Sequence, residues 1–255
     1  MDKLGLTTGA QSLRRALLLL RLLGRNQEEG MTLAQVTEQS QLERSTAHRL
    51  LTCLVEEGFA ERQAKGKVYR LGIDAVQLGT AGMRRMPLLD QYGGLLQKLA
   101  RISGDTVFFV IRQGDFCLCL QRQEGHFPVR VFTTDVGEKR LLGLGAGGLA
   151  LLATLPDSDI QALVQRHAKA YADAGFSPAR MMQAVRATRR QGYSCIVDTI
   201  TEGVSGVGCA FQVSASQCAA ISFGAISTRL PAQRQKELGA LLVQELAQGA
   251  AAGAV

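Results

Sequence analysis

The sequence has few of the residues that build metal or disulfide sites. It contains three histidines and six cysteines, and no two cysteines form a C-x-x-C pair. Scattered thiols in a chain of 255 residues do not predict a disulfide framework, and three separated histidines do not predict a zinc site. We therefore expect no metal and no other cofactor. Cys117 and Cys119 would share one face of a strand and are expected to be packed thiols, with a redox or metal role as the alternative.

Long apolar runs and catalytic constellations are missing as well. No stretch reaches the roughly 20 apolar residues of a membrane span. The apolar segment from Ala16 to Leu23 is interrupted by Arg21 and lacks a small-residue cleavage site, so it does not resemble a signal peptide. His126 and His167 have no nearby serine or cysteine with an orienting acid. We expect a cytoplasmic protein that is not an enzyme and has no membrane partner.

Positive charge is concentrated towards the beginning of the chain. The formal net charge is +7, and residues 1–86 hold 13 lysines and arginines against 9 acidic residues. This excess is what a polyanion-binding module would have, although charge alone is a weak signal. The length allows one large domain or two modest ones.

The stretch from Met31 to Leu71 predicts two short helices around a tight polar turn. Thr32 and Gln35 form a capping-box pattern at the first helix. The second helix starts near residues 43–45, and four apolar residues recur along it at i, i+3, i+4 and i+7: Ala47, Leu50, Leu51 and Leu54. At about 100° per residue, the opposite face carries the polar residues Ser45, His48, Arg49 and Thr52, flanked by Arg44 and Thr46. Hydroxyls and arginines on one face suit phosphate oxygens and base edges.

A basic hairpin is predicted directly after this helix. Gly58 ends the helix, the turn of the hairpin contains Gly66, and four positive residues lie on its arms and turn: Arg62, Lys65, Lys67 and Arg70. Helix, turn, helix and wing is the order in which small domains place one helix in a DNA groove. We therefore predict double-stranded operator DNA as a partner. The alternative is a solvated helix followed by an ordinary basic loop.

Helices are predicted on both sides of this DNA-binding unit. Ser12 is expected to cap a first helix, whose core-facing residues would be Leu13, Ala16, Leu17 and Leu20. Residues 73–86 predict a linker helix that ends before Pro87. Its apolar residues would pack either on a second subunit or within one chain: Ile73, Val76 and Leu78.

The remainder of the chain predicts a second, α+β domain. A helix at 88–102 is followed by a hairpin and a further strand at 129–134. A glycine-rich loop at 143–148 leads into a helix at 149–155, and helices at 157–172 and 178–191 follow. Three strands and a closing helix at 231–247 complete the pattern. Short neighbouring strands favour an antiparallel sheet with helices outside it.

The glycine-rich loop also matches the dinucleotide-binding pattern GxGxxG. That pattern requires a buried parallel strand before the loop and an acidic residue about 20 positions after it. Only two apolar residues precede the glycines, and Asp157 and Asp159 come too early. The loop is better suited to an anion at the N-terminus of the following helix.

Several of these segments resemble the IclR family of bacterial transcription regulators. The resemblance is specific at Arg44–Leu51 and at Tyr69–Gly72, and it extends to Gly145–Ala153, Arg190–Tyr193 and Ala220–Ser222. It implies a winged helix-turn-helix at residues 9–72, a linker helix at 73–86 and a GAF-like effector-binding domain at 87–250. Glu43 stands where the family usually has proline, and Thr199 stands where the family often has an acidic residue before the element at Gly203 and Val204.

The resemblance also implies a partner and a ligand. It implies a homodimer or dimer of dimers that controls a catabolic or metabolic operon and binds a small organic or aromatic acid. The effector residues carried over by position are Arg140, Ala146, Gly147, Gly206, Ser222 and Gly224. The alternatives are a repressor that needs no ligand, or a nucleotide-dependent enzyme fused to a DNA-binding domain.

Overall fold

The chain folds into two compact units, residues 1–87 and 88–255. A computed structural model describes residues 9–63, 67–84, 87–131, 133–199, 201–214 and 216–252. Its class is the predicted α+β. The linker helix expected at 73–86 is observed at 73–84 and belongs to the first unit.

The described part of the first unit contains helices around a small antiparallel sheet. Its elements are α1 (Gln11–Arg25), β1 (Met31–Thr32), α2 (Leu33–Ser40), α3 (Arg44–Glu56), β2 (Ala60–Gln63), β3 (Val68–Leu71) and α4 (Ile73–Arg84). Thr32 caps α2, and its side chain and that of Gln35 form both bonds of the capping box. The sheet order is β1-β3-β2, so a third short strand joins the predicted hairpin.

The face that α1 turns towards the core is only partly the predicted one, because the predicted residues Ala16 and Leu20 are half-buried and pack against the core. Leu13 and Leu17 are exposed, whereas Leu19, Leu22 and Leu23 are buried with residues of α2 and α3. The segment is apolar on nearly every side, so the helical period alone cannot identify the packed face. The predicted cap was also wrong: Ala10 is the N-cap residue, and Ser12 lies inside the helix.

The second unit has one six-stranded antiparallel sheet in the order β6-β5-β4-β9-β8-β7. Its strands are β4 (Thr106–Gln113), β5 (Phe116–Gln123), β6 (Lys139–Leu141), β7 (Ser194–Val197), β8 (Val204–Ser214) and β9 (Gln217–Ile226). Its helices are α5 (Pro87–Ser103), α6 (Ala146–Ala153), α7 (Asp157–Arg166), α8 (Ala168–Asp173), α9 (Pro178–Gln191) and α10 (Ala232–Ala252), with a 3-10 turn at Ser227–Arg229.

Helices cover both faces of this sheet. Tyr92 of α5 packs on Phe109 and Phe211, and Lys98 of α5 pairs with Glu245 of α10 at 2.6 Å, so these two helices share one face. α6 packs on the other face, against β8 and β9, with α9 behind it. Successive residues of a strand point to opposite faces, so Val110 faces α6 while Phe109 faces α5.

The strand predicted at 129–134 is not formed in the described residues. A different segment, β6, pairs with β5, with Cys117 opposite Arg140. The described residues between β5 and β6 form a loop. Phe127 is held there by the guanidinium of Arg229, 3.6 Å from its ring centroid, and by a backbone bond to Gly104.

Two predicted helices have different bounds. α6 begins at Ala146 rather than at 149, because Gly147 and Gly148, which were assigned to the loop, belong to its first turn. The helix predicted at 157–172 is divided at His167, which ends α7 and precedes α8. The bounds predicted for α9, residues 178–191, were correct. Ser177 caps this helix, and Gly192 ends it with a φ of +81°.

Candidate functional site

The first candidate surface is the outer face of α3. Ala47, Leu51 and Leu54 are buried on its inner side, as the helical period predicted, and Leu50 is half-buried. The polar residues of the opposite side are exposed, with Thr46 half-buried beside them: Arg44, Ser45, His48, Arg49 and Thr52. The structure therefore brings all six predicted residues to one side of one helix. No side chain caps its N-terminus, where Glu43 is the N-cap residue.

The basic residues of the wing do not all have the same environment. Arg62 is exposed on β2 and lies over the ring of Tyr69, with its guanidinium carbon 5.6 Å from the centroid. Lys67 is exposed and has a φ of +52°, which fits a turn position. Lys65 falls outside the described residues.

Arg70 is bound to the protein itself. Its Nε donates to the carbonyl of Gln27 at 3.1 Å, and its Nη2 donates to the carbonyls of Glu28 and Glu29 at 2.9 and 3.1 Å. These contacts hold the turn between α1 and β1 against β3. Counting charges in the sequence could not separate this arginine from Arg62, because the difference depends on which backbone carbonyls lie nearby.

The second candidate site is a pocket between α6 and the sheet of the second unit. Its cavity volume is about 70 Å³, and it is partly open to solvent. All six residues assigned to an effector by position line it: Arg140, Ala146, Gly147, Gly206, Ser222 and Gly224. They lie on β6, α6, β8 and β9, so the fold brings together residues up to 84 positions apart in the sequence.

The N-terminal turn of α6 forms the polar wall of this pocket. Gly145 is the N-cap residue, with a φ of +88° and no side-chain cap. The first N–H groups of a helix lack intrahelical partners and carry the positive end of its dipole. A Cβ at Gly147 would lie 3.3 Å from Oγ of Ser222 and 3.0 Å from Cγ2 of Val110. Because Gly147 has no side chain, the backbone of this turn and the Ser222 hydroxyl both line the pocket.

Arg140 supplies the positive charge at the pocket. Its side chain is half-buried, and its Nη2 donates to the carbonyl of Thr133. A Cβ at Gly145 would lie 3.6 Å from Nη1, which places the guanidinium beside the start of α6. Among the charged residues of the described chain, only Arg140 lines this pocket. The pocket therefore favours a negatively charged ligand.

Another part of the lining is apolar, and sequence analysis did not assign it. Phe108, Val110 and Ile196 line the pocket together with Cys117 and Cys119. Burial raises the pKa of Cys117 to about 11 and that of Cys119 to about 12, so both remain neutral thiols. The alternation of β5 did place the two thiols on one face. The nearly continuous apolar run of β4 gave no signal for which face Phe108 would occupy.

The loop before β8 is held by Asp198, which precedes Thr199, the position where this sequence differs from the family pattern. Its Oδ1 accepts from the backbone N–H of Gly203 at 3.0 Å and from Oγ of Ser227 at 2.5 Å. Asp198 has a φ of +47°, and it therefore shapes the turn through both its backbone and its carboxylate.

The dinucleotide alternative does not fit this topology. The strand before the glycines, β6, has three residues and lies at the antiparallel edge of the sheet. Dinucleotide sites of this type require a parallel βαβ unit. Within the described ranges, no cluster of three or more histidine, cysteine or acidic residues is arranged to hold a metal, and no helix is long and apolar enough to cross a membrane.

Comparison with known families agrees with both halves of the chain. The IclR helix-turn-helix domain matches residues 12–64, and the bacterial transcriptional regulator IclR C-terminal domain matches residues 80–250. An HTH-type transcriptional regulator of Mycobacterium tuberculosis is 30% identical over 92% of this chain and 89% of its own length. The transcriptional repressor IclR of Escherichia coli is 27% identical over 93% of this chain and 88% of its own length.

Solved structures show the same fold. An IclR family transcriptional regulator from Brucella abortus superimposes with a TM-score of 0.80 at 20% identity, over 94% of this chain and 91% of its own. An IclR homologue from Microbacterium hydrocarbonoxydans, complexed with 4-hydroxybenzoate, has a TM-score of 0.74 at 19% identity, over 93% and 96%. The relatives of the present chain are transcription regulators and not enzymes. The chain belongs to the IclR family of DNA-binding transcription regulators.

Proposed function

We propose that the outer face of α3 reads operator DNA and that the wing contacts the adjacent phosphates. The observation that supports this most directly is the separation of the two faces of α3, apolar inside and donor-rich outside. Arg49 and His48 would reach base edges, while Ser45 and Thr46 lie at the first turn, where hydroxyls suit phosphates. Arg62, Lys65 and Lys67 would provide the wing contacts. Arg70 would instead keep the wing in place.

The DNA proposal is tested with the full chain and the DNA upstream of its own gene. Binding is measured by mobility shift at several salt concentrations. Each phosphate that is neutralised adds about 0.9 to the slope of log affinity against log salt. A protected site with a steep salt dependence supports the proposal. Equal affinity for this DNA and for unrelated DNA contradicts operator recognition.

We propose that the pocket of the second unit binds a small organic acid, and that an aromatic acid fits it best. The carboxylate would meet the N-terminal turn of α6, Arg140 and the hydroxyl of Ser222. The ring would lie against Phe108, Val110 and the neutral thiols, whose sulfur atoms make favourable contacts with aromatic rings. The 4-hydroxybenzoate bound by the Microbacterium homologue makes that acid the first ligand to test.

The ligand proposal is tested by a thermal-shift screen of the full chain with organic and aromatic acids. A ligand that binds only the folded state raises its melting temperature. A shift with 4-hydroxybenzoate or a related acid supports the proposal. No shift with any acid, together with intact operator binding, would favour the alternative of a repressor that needs no ligand.

We propose further that the chain acts in the cytoplasm as a homodimer or a dimer of dimers. The apolar side chains of α4 are largely exposed within one chain: Ile73 (65%), Val76 (53%) and Leu78 (61%). A second copy would cover them and would present two α3 helices to a two-fold operator. Sedimentation of the wild type and of Ile73→Glu tests this. A wild-type monomer would contradict it.

A further inference from the structure

The hydroxyl of Ser194 contacts the first peptide of α6 from inside the sheet. Ser194 is fully buried on β7, and its Oγ lies 2.6 Å from the carbonyl oxygen of Ala146 and 3.1 Å from that of Gly208. A serine hydroxyl has one proton, so the shorter contact identifies the Ala146 carbonyl as its main acceptor. The sequence contains no signal for this contact, because the two residues are 48 positions apart.

Two glycines of β8 allow the same peptide to lie close against the sheet. A Cβ at Gly208 would lie 2.8 Å from the carbonyl carbon of Ala146 and 3.0 Å from the nitrogen of Gly147. A Cβ at Gly206 would lie 3.1 Å from Cβ of Ala146. The backbone of β8 therefore supports the peptide between residues 146 and 147 from below, and Ser194 fixes the direction of its carbonyl.

Fixing that carbonyl also fixes an N–H group. In a trans peptide, the N–H points opposite to the C=O of the same plane. The N–H of Gly147 belongs to this plane and lies in the first turn of α6, where N–H groups have no intrahelical partner. Gly147 lines the ligand pocket together with Ser222. The Ser194 hydroxyl therefore orients the Gly147 N–H, although Ser194 itself does not line the pocket.

We infer that Ser194 is a positioning residue for effector binding. It holds the Ala146–Gly147 peptide so that the Gly147 N–H is directed at the carboxylate of the bound acid. This role rests on the proposed function of the pocket. It assigns the recognition of the anion partly to a buried serine that does not itself line the pocket.

The test compares Ser194→Ala with Ser103→Ala in the full-length protein. Ser103 is a matched control, because it is also buried and its Oγ accepts the backbone N–H of Asp105 at 3.1 Å, outside the pocket lining. Affinities for 4-hydroxybenzoate and for the neutral 4-hydroxybenzamide are measured by calorimetry. Ser194→Ala is expected to weaken binding of the acid about tenfold and that of the amide less than about twofold. Ser103→Ala is expected to leave both affinities unchanged.

Hydrogen exchange provides a second readout that needs no ligand. The backbone N–H of Leu149 donates to the carbonyl of Gly145 at 2.8 Å and reports the order of the first turn of α6. Its exchange should accelerate in Ser194→Ala and not in Ser103→Ala. Gly208→Ala, which pushes on the same peptide, should reproduce both the exchange and the affinity effects.

The outcomes separate this inference from the proposed function. If the wild type binds acids and Ser194→Ala retains the wild-type ratio of acid to amide affinity, the inference is overturned and the pocket assignment stands. If the wild type binds neither compound, the proposed ligand fails. The orienting role is then decided by exchange: unchanged exchange at Leu149 in Ser194→Ala overturns it, and faster exchange than in Ser103→Ala supports it.

Discussion

The two proposed binding surfaces use a helix in opposite ways. α3 exposes one side and buries only three of its residues, Ala47, Leu51 and Leu54, so its side chains are available to a partner. All eight residues of α6 are buried, and its first turn offers backbone N–H groups rather than side chains. Recognition by α3 depends on which side chains are present. Recognition by α6 depends on which are absent, and on the residues that hold its backbone in place.

The largest expected effect comes from adding a side chain to α6. In Gly147→Leu the new Cβ would lie 3.0 Å from Val110 and 3.3 Å from Ser222, and the rest of the side chain would fill the pocket. We expect affinity for the acid to fall about 100-fold or more, with operator binding retained. Calorimetry and mobility shift measure the two properties.

The matched control for this insertion is Gly94→Leu on α5. A Cβ there meets no atom within 4 Å, so acid affinity should remain at the wild-type level. If Gly147→Leu still binds the acid as the wild type does, the ligand does not approach the first turn of α6.

Removing a side chain from α3 is expected to have the next largest effect. Arg49→Ala should weaken operator binding about 10- to 100-fold, because a bidentate contact from arginine to a base contributes about 1–3 kcal/mol. Acid binding should not change. Arg21→Ala, an exposed arginine on α1, is the control and should have little effect on either. Wild-type operator affinity in Arg49→Ala would remove Arg49 from the reading face.

The wing allows two arginines to be separated by their effects. Arg70→Ala leaves three carbonyls without their donor and should lower the melting temperature of the first unit by several degrees, roughly 4–8 °C for each kcal/mol lost. Arg62→Ala removes only the contact with the Tyr69 ring, so it should lower the melting temperature less than Arg70→Ala and should reduce the salt slope of DNA binding by about 1. Calorimetric scans and salt titrations distinguish these results. Equal melting temperatures would show that the contacts of Arg70 do not stabilise the fold.

The pocket thiols are expected to give the smallest effect, as a dependence of stability on pH. Burial raises the pKa of Cys117 to about 11 and that of Cys119 to about 12, above the ordinary value of 9.0. The folded state therefore retains protons that the unfolded chain releases. This contribution is complete below pH 9 and is lost as the pH rises through 11 to 12.

The measurement is the melting temperature between pH 8 and about 10.5. It should decrease by about 2–4 °C per pH unit for each thiol above pH 9, and less steeply in the double variant Cys117→Ala, Cys119→Ala. Cys53→Ala, at an exposed position, should retain the wild-type slope. A double variant with the wild-type slope would assign the pH dependence to other groups.

The α3 surface could be predicted from the sequence because helical periodicity separates its faces. Ala47, Leu51 and Leu54 define the buried side, and every polar residue assigned to the other side is exposed or half-buried. Periodicity was insufficient for α1, where leucines surround the helix and the core selects Leu19, Leu22 and Leu23. A pattern predicts a face only when the opposite face differs from it.

The pocket was only partly predictable. The family resemblance identified six lining residues by position, including Gly147 and Ser222. Phe108 was missed because its strand, β4, is buried on both faces and shows no alternation. Ile196 on β7 was missed as well. Ser194 was missed because a buried serine on a short strand resembles any other small core residue.

The sequence by itself determined the class of the protein, its two-part organisation and the exposed polar face of α3, since these depend on local periodicity and local motifs. The tertiary structure decided which arginine of the wing is available to a partner and which is bound to carbonyls. It also decided which glycines line the pocket and which, such as Gly208, allow a helix to pack closely on the sheet. Those distinctions depend on contacts between residues far apart in the chain, and no local pattern records them.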